Sequence, residues 1–232
     1  MLRDGTTTED VRLDRLIEFD TRSRSYGIAA VVESKPLRSY TWSCGEWFDQ
    51  GRQGACVAYS LSHELVARPA VVKGITDPWI RELYYQVQRD DPWPGGEYPG
   101  ADPVYGGTSV LSGLKALQSQ GFCGSYRWAF GLQDVLLGVG YSGPACLGIN
   151  WFEGMFDVDS EGYVRVTGSA VGGHAIIVRS VNLPAKRVTL RNSWGRDWGR
   201  DGDCYMSFDD LEKLLYMQGE AAFLVDRVAK TI

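Results

Sequence analysis

The sequence predicts an α+β protein in which a mainly helical first half precedes a second half of antiparallel β-strands. Two observations support this prediction. Helix-start signals precede apolar segments in the first half, and short β-prone runs separated by turns fill the second half. The chain has 232 residues, of which 44% are hydrophobic. That amount of apolar sequence predicts one compact unit or two tightly joined lobes.

The predicted helices of the first half follow from their end signals. One helix runs from Val57 to Ala67 and ends before Pro69, because proline cannot continue it. Thr76-Asp77-Pro78 has an N-cap residue and an early proline, which predict a second helix to about residue 89. Thr108-Ser109 caps a third helix through Gln118. A short fourth helix is predicted over residues 132–139, and a long loop over residues 91–106.

The second half contains six short β-prone segments and one helix, predicted at about residues 209–216. The predicted strands are 145–151, 163–166, 174–181, 188–192, 204–207 and 221–225. Residues 1–35 are predicted to form an N-terminal arm, with a short strand over 27–32, and the core is predicted to begin near Pro36.

Composition excludes several classes of protein. The net charge of −5 gives no basic surface for nucleic acid. No apolar run approaches the roughly eighteen residues that span a bilayer, and residues 1–20 lack the apolar core of a signal peptide. We therefore predict a cytoplasmic protein with neither nucleic-acid nor membrane partners. Four of the five cysteines are predicted to be reduced packing residues: Cys44, Cys123, Cys146 and Cys204.

The fifth cysteine, Cys56, lies where a glycine-punctuated loop becomes a helix. The first turn of a helix has free N–H groups and a partial positive charge, and both favour a thiolate. Gln50, six residues earlier, carries an amide with two N–H donors. Glycines at positions 51 and 54 allow the loop to fold back and bring that amide near the sulfur. A nucleophile beside a fixed donor is typical of an acyl-transfer site.

A cysteine nucleophile needs a base, and the chain has two histidines. His63 lies two helical turns from Cys56, roughly 10 Å along the axis, which is too far for an ion pair. His174 begins a predicted strand after two glycines that leave space around the imidazole. We therefore predict that His174 is the base and that His63 has a structural role.

The segments around Cys56, His174 and Asn192 resemble, in that order, the three active-site segments of papain-like cysteine peptidases. The last of them, Asn-Ser-Trp-Gly-Arg-Asp-Trp-Gly, is the closest to the family pattern. Two positions differ from that pattern, since Gln53 stands where the family has a disulfide cysteine and Val57 where it has tryptophan.

The resemblance implies a helical left lobe and an antiparallel β-barrel right lobe with the active site in the cleft between them. The lobes would cover about residues 36–131 and 132–232. It further implies that Cys56 attacks a peptide carbonyl, that His174 moves the protons and that Asn192 orients His174. Gln50 and the Cys56 N–H would hold the oxyanion. No metal or organic cofactor is implied, and the partner is a peptide or protein substrate.

The resemblance also implies a set of substrate-binding residues, and the family's main pocket receives the second side chain upstream of the scissile bond. Several of its wall positions are glycine or small here, which predicts a roomy, uncharged pocket that favours Phe, Tyr or Leu over Ala. The implied residues are Gly106, Gly107, Thr108, Ser109, Gly148, Gly172, Gly173, Ala175 and Trp194.

The arm of residues 1–35 is too short to be the helical inhibitory pro-domain of many papain-like peptidases. This predicts an open cleft and a chain that is active as made. Two alternatives to a peptidase stay open at this stage. One is an amidase or acyl-transferase acting on a non-protein amide. The other is a catalytically weak binding module, which Gln53 and Val57 favour. Natural substrate and oligomeric state are not determined by the sequence.

Overall fold

The computed structural model describes residues 1–32 and 34–232. Its α-helices are α1 Ala29–Val32, α2 Cys56–Leu65, α3 Asp77–Asp90, α4 Val110–Ser119, α5 Leu132–Tyr141 and α6 Phe208–Tyr216. Its strands are β1 Arg15–Leu16, β2 Tyr40–Thr41, β3 Val72–Lys73, β4 Thr108–Ser109, β5 Cys123–Ala129, β6 Ala145–Phe152, β7 Ala170–Asn182, β8 Arg187–Arg191, β9 Asp203–Ser207, β10 Glu220–Arg227 and β11 Lys230–Thr231.

The longer helices begin at the predicted capping residues. The side-chain oxygen of Thr76 accepts a hydrogen bond from the N–H of Trp79, at 3.4 Å. Ser109 accepts one from the N–H of Ser112, at 3.0 Å. Each bond satisfies an N–H that has no partner inside the helix, so these residues end the preceding loop at a defined point.

A seven-stranded antiparallel sheet forms the second half, with the strand order β5-β10-β6-β7-β8-β9 and β2 paired to β7. This confirms the predicted α+β class. The pairings among the described residues form an open path. Because β2 and β5 precede residue 132, the exact boundary between the two lobes stays a prediction.

Two hydrophobic cores lie on the two sides of the molecule. One packs α5 and α6 against the sheet. The other packs α2, α3 and α4 against residues of β5, β6 and β10. Every residue of α2 is buried, so this helix lies between the helical layer and the sheet. Full burial of a leucine such as Leu61 or Leu65 contributes roughly 1.5–3 kcal/mol. The N-terminus of α2 is thereby held against β7.

Two predicted elements differ from the structure, and one long strand was not predicted. Residues 27–32 were expected as a strand, but Ala29–Val32 is helical. Ile28 and Val32, four residues apart, are both buried while Val31 is exposed, which is a helical spacing. The predicted strand at 163–166 is a single bridge from Tyr163 to Tyr205. The sequence analysis missed β5, which pairs with β10 about a hundred residues later in the chain.

Across residues 1–32 and 34–232, no helix has the length and apolarity needed to cross a membrane.

Two glycines of α5 provide a matched test of packing. A methyl group at Gly138 would lie 2.3 Å from the ring of buried Phe223, whereas one at Gly140 would lie 3.5 Å from Arg38. We expect Gly138→Ala to lower the free energy of unfolding by about 1–3 kcal/mol through overpacking. Gly140→Ala is expected to be neutral or to raise it by up to about 1 kcal/mol, because alanine favours helix. Urea denaturation measures both, and equal effects would contradict this packing.

Candidate active site

Cys56 is the first residue of α2, and its side chain is fully buried. The preceding residue, Ala55, has no side chain that caps the helix. The N–H groups of the first turn are therefore available to another acceptor. The Cys56 sulfur accepts a hydrogen bond from the N–H of Ala175 at 3.3 Å. Ala175 directly follows His174 in β7, so the strand brings the predicted base to the predicted nucleophile.

His174 and Asn192 are joined by a hydrogen bond of 2.8 Å between Nε2 and Oδ1. The same Oδ1 accepts from the N–H of Ser193 at 2.8 Å, which identifies it as an acceptor. His174 Nε2 is therefore the protonated nitrogen, and Nδ1 keeps its lone pair. Nδ1 is buried and has no hydrogen-bond partner among the described residues.

Two tryptophans enclose the His174–Asn192 pair. The ring of Trp194 lies 4.8 Å from that of His174, and the ring of Trp151 lies at the same distance in an edge-on arrangement. Burial lowers the pKa of His174 to about 4, and the bond to Asn192 opposes that shift. The imidazole is thus neutral in this closed arrangement, and the enclosed hydrogen bond is protected from water.

Gln50 is held in place from the Asn192 segment. Its Oε1 accepts from the Ser193 hydroxyl at 2.6 Å, and its backbone N–H donates to the Ser193 carbonyl at 2.9 Å. Nε2 then donates to the carbonyls of Gln53, at 2.7 Å, and Arg12, at 3.4 Å. The Gln50 amide, which is the predicted oxyanion donor, is therefore held in a defined orientation. Its Nε2 already donates to a carbonyl of the arm.

The carboxylate of Asp14 lies at the start of α2. Its Oδ1 accepts from the backbone N–H of Cys56 at 3.3 Å, and its Oδ2 accepts from the Tyr84 hydroxyl at 3.2 Å. Tyr84 is also 2.9 Å from Oε2 of Glu97. One hydroxyl proton cannot serve both carboxylates at once. Burial, followed by the nearby Glu97 charge, raises the pKa of Asp14 to about 7, and the hydrogen bonds from Cys56 oppose this.

This arrangement keeps the Cys56 sulfur protonated. Burial raises the pKa of the Cys56 thiol well above its ordinary value, and the Asp14 carboxylate raises it further. The N–H of Ala175 acts in the opposite direction. A thiol rather than a thiolate is the stable form while Asp14 is in place, and the thiol is the poorer nucleophile.

The arm blocks the site without placing one carbonyl against both of the predicted oxyanion donors. The Cys56 N–H holds the Asp14 side chain, whereas Gln50 Nε2 holds the Arg12 carbonyl. An attacked carbonyl would have to accept from both donors. Because the two donors hold different groups, the arm is not in the geometry of a substrate.

Eight of the nine implied substrate-binding residues lie along this arm. Strand β1 of the arm pairs in parallel with β4, so Arg15 lies beside Thr108 and Leu16 beside Ser109. Further contacts join Gly106 to Leu2, Gly107 to Asp14, Gly148 to Arg15, Gly172 to Leu13, Gly173 to Asp14 and Arg15, and Trp194 to Arg12, while Ala175 contacts Cys56. The structure therefore brings the predicted set together. The expectation of an open cleft is wrong, because a short extended segment fills it without any helical domain.

Two buried ion pairs anchor the arm. Arg3 contacts Asp91 at 2.6 Å, and neither side chain is exposed. Arg15 contacts Glu220 at 2.8 Å, with side-chain exposures of 1% and 15%. A carboxylate from the start of β10 therefore lies beside Gly148, one of the implied pocket residues, where it pairs with the arm.

His63 has a different environment. Its Nε2 accepts from the backbone N–H of Phe48 at 2.9 Å, and its ring stacks on the Phe48 ring. Burial lowers its pKa to about 3, so it is a neutral acceptor in the core. Val57 packs within the helical core, where a methyl group at Gly113 of α4 would lie 3.0 Å from it. The five cysteines are free.

Sequence reasoning missed four residues of this site. Asp14 and Arg15 lie in the predicted N-terminal arm, where no functional residue was predicted. Trp151 ends a predicted strand and Glu220 directly precedes another, but their neighbours in space come from distant parts of the chain. No local pattern in the sequence marks any of the four.

The fold is that of the papain-like cysteine proteases. Xylellain, a cysteine protease from Xylella fastidiosa, superposes with a TM-score of 0.68 at 14% identity, over 95% of this chain and 98% of that one. Procathepsin L2 from Tenebrio molitor gives a TM-score of 0.60 at 13% identity, over 96% of this chain and 81% of that one. Procathepsin B S9 from Trypanosoma congolense gives 0.54 at 13% identity, over 94% and 85%.

Sequence comparison finds a similarity over part of the chain. Cathepsin B-like protease 1 of Arabidopsis thaliana is 27% identical over 138 residues, which cover 53% of this chain and 36% of that protein. The match thus spans about a third of the relative. No protein-family profile matches the chain.

We expect Cys56 to be alkylated slowly by iodoacetamide in the wild-type chain, and faster after Asp14→Ala. Removing hydrogen bonds to a charged group is worth about 1.5–3 kcal/mol, which corresponds to a roughly 10–100-fold faster reaction. Peptide mass spectrometry after timed labelling gives the rate at each cysteine. Asp4→Ala is the matched control, because Asp4 is in the same arm but bonds only to Thr6. Equal labelling rates of Cys56 in the wild type, Asp14→Ala and Asp4→Ala would contradict the blocking role of Asp14.

Arm closure is expected to weaken as the pH rises. The pKa of Asp14 is about 7 in the closed arm, above its ordinary value of 3.8. The closed state therefore binds the proton more tightly, so closure is most favourable below about pH 4, is progressively penalised between about pH 4 and pH 7, and changes little above that range. The groups facing Asp14 are Cys56, Tyr84 and Glu97.

Hydrogen exchange of residues 10–18, corrected for intrinsic rates, measures this closure directly. Protection is expected to be higher at pH 5 than at pH 8 in the wild type. Asp14→Asn is expected to remove most of that difference, since the amide does not titrate. A wild-type arm that is equally protected at both pH values would refute the titration argument.

Proposed function

We propose that the chain is a thiol hydrolase that cleaves peptide bonds through Cys56, His174 and Asn192, and that its N-terminal arm holds it closed. The observation that carries the proposal is the contact of the Cys56 sulfur with the strand of His174, together with the His174–Asn192 hydrogen bond. The likeness to cysteine proteases in sequence and fold agrees with it.

In the first step, the arm leaves and the carbonyl of a peptide takes its place between Cys56 and Gln50. His174 Nδ1 accepts the thiol proton, and the sulfur attacks the carbonyl carbon. The developing oxyanion accepts from the Cys56 N–H and from Gln50 Nε2. Each such donor is typically worth about 10²–10³-fold in rate. Asn192 keeps the imidazole oriented and stabilises its protonated form.

In the second step, the C–N bond breaks and the imidazolium of His174 gives its proton to the leaving amine. The product is a thioester between the acyl group and Cys56. Water then attacks this acyl-enzyme, with His174 again taking a proton, and the carboxylic acid leaves. A base of this kind typically contributes about 10²–10⁴-fold in rate.

The alternative of a catalytically weak binding module is less well supported. That alternative depends on Gln53 and Val57, the two positions that differ from the family pattern. Val57 packs in the helical core and Gln53 supplies a backbone carbonyl to Gln50, so neither change removes a polar group from the site. A non-protein amide stays an alternative substrate, because the proposed chemistry at the carbonyl is the same.

The proposed function is tested with fluorogenic dipeptide amides on an Asp14→Ala chain, in which the arm is loosened. We expect time-dependent hydrolysis that Cys56→Ala abolishes and His174→Ala lowers by about 10²–10⁴-fold or more. Cys44→Ala is the matched control, because Cys44 is a half-buried free cysteine outside the site. Hydrolysis that survives Cys56→Ala would overturn the proposal.

A further inference from the structure

A groove of about 720 Å³ lies on the outer face of the sheet, where β2, β7, β8 and β9 are neighbours. The side chains of β8 alternate along the strand. Val188 and Leu190 are buried, whereas Arg187, Thr189 and Arg191 are half-buried on the opposite face. This alternation is typical of a strand with one face toward the core and one toward solvent. The outer face of β8 therefore forms part of the groove.

The two carboxylates that line this groove are already bound by arginines. Asp203 accepts from Nε of Arg179 at 2.9 Å and from Nε of Arg191 at 3.1 Å. Asp201 accepts from Nε of Arg196 at 2.7 Å. Because Asp203 is shared by two guanidinium groups, this part of the surface keeps an excess of positive charge, although the chain as a whole has a net charge of −5.

Two further arginines of the groove, Arg187 and Arg200, have no carboxylate partner among residues 1–32 and 34–232. Both lie against the ring of Tyr205. The guanidinium carbon of Arg187 is 3.6 Å from the ring centre, and that of Arg200 is 5.3 Å from it. Contact through the flat face of a guanidinium orders the side chain and leaves the N–H donors at its edge free. The two side chains are thus positioned to bind an anion.

The chemistry of the groove favours carboxylates over nucleic acid. The edge of a guanidinium matches the two oxygens of a carboxylate. Tyr205 is the aromatic residue that lines the groove in the described part of the chain, and Arg187 already covers its ring. A nucleic-acid base would need a free aromatic face on which to stack. An acidic peptide needs only the free N–H donors.

The groove is connected to the candidate active site by a single strand. Asn192 directly follows β8, and Arg187 is five residues before it. At about 3.3–3.4 Å per residue this separation is roughly 17 Å. An extended peptide covers at most about 3.3–3.6 Å per residue, so a spacer of about five to eight residues reaches from one site to the other.

We propose that this groove is an exosite, a second binding site outside the cleft, which binds an acidic segment of a protein substrate. Glutamate or aspartate side chains of that segment accept hydrogen bonds from Arg187 and Arg200. The segment lies about five to eight residues from the scissile bond. The inference rests on the proposed peptidase function and adds a class of substrate to it.

Binding is tested with fluorescently labelled hexaglutamate and the full-length wild-type chain, by fluorescence anisotropy, with hexaglutamine as the uncharged reference. We expect saturable binding of hexaglutamate that is weakened about tenfold or more by the double change Arg187→Gln, Arg200→Gln, because hydrogen bonds to charged groups are lost. The matched control is Arg81→Gln, Arg89→Gln. It removes the same charge from exposed positions of α3 and is expected to bind like the wild type.

The effect on hydrolysis is tested in the full-length Asp14→Ala chain. Internally quenched peptides carry a six-residue spacer and then a glutamate or a glutamine tract, upstream of the scissile bond in one series and downstream in the other. The ratio of kcat/KM for the two tracts is independent of the fraction of chains with an open arm. We expect the glutamate tract to be preferred by about tenfold or more in one series, mainly through KM, and by about twofold or less after Arg187→Gln, Arg200→Gln.

The binding measurement separates failure of this inference from failure of the proposed function. Specific binding of hexaglutamate without hydrolysis of either peptide would refute only the peptidase function. Equal binding of hexaglutamate and hexaglutamine would overturn the exosite, as would hexaglutamate binding that persists in the Arg187→Gln, Arg200→Gln chain. Tighter binding of an RNA hexamer than of hexaglutamate, or hydrolysis with no preference between the tracts in either series, would overturn it as well.

Discussion

The closed state of this molecule depends on the contact between the Asp14 carboxylate and the first turn of α2. The Cys56 N–H has no partner inside the helix, and the helix end carries a partial positive charge. A hydrogen-bond acceptor is therefore favoured at this point. In the proposed reaction that acceptor is the oxyanion of the substrate, and in the structure it is the Asp14 side chain of the arm. The feature that suits the site to acyl transfer is thus the feature that allows the arm to close it.

Two ion pairs help to hold the arm, in addition to its buried leucines Leu2, Leu13 and Leu16. Arg3 pairs with Asp91 and Arg15 with Glu220, both largely out of solvent. A buried ion pair adds little net stability, but removing one partner typically costs about 3–5 kcal/mol. Partial release would leave such charges unpaired. The arm is therefore expected to leave the cleft as a unit rather than residue by residue.

Closure and proposed chemistry use the same groups. Gln50 Nε2 reaches Arg12, the ring of Trp194 lies beneath the Arg12 guanidinium, and Glu220 binds Arg15. The His174–Asn192 bond, in contrast, does not involve the arm. The arm thus leaves the geometry of the base intact while it occupies the positions that a substrate would need.

The sequence alone determined the fold class, the caps of α3 and α4, and the group of Gln50, Cys56, His174 and Asn192. Those features are encoded in short contiguous patterns, such as an N-cap residue before an apolar run or a cysteine at a loop-to-helix junction. The helix at Ala29–Val32 was missed because its four residues contain no such signal. The predicted strand at 163–166 failed because a β-prone run becomes a strand only where a partner lies beside it.

The tertiary structure alone decided that the cleft is closed and that a carboxylate lies beside Gly148. Asp14 reaches Cys56 over 42 positions of chain, and Arg15 reaches Glu220 over 205. In sequence these are ordinary charged residues, which are usually solvated on a surface. These residues acquire a specific role only because the fold removes water from around them. A carboxylate in bulk water needs no partner, whereas one in the cleft requires a hydrogen-bond donor or a cation.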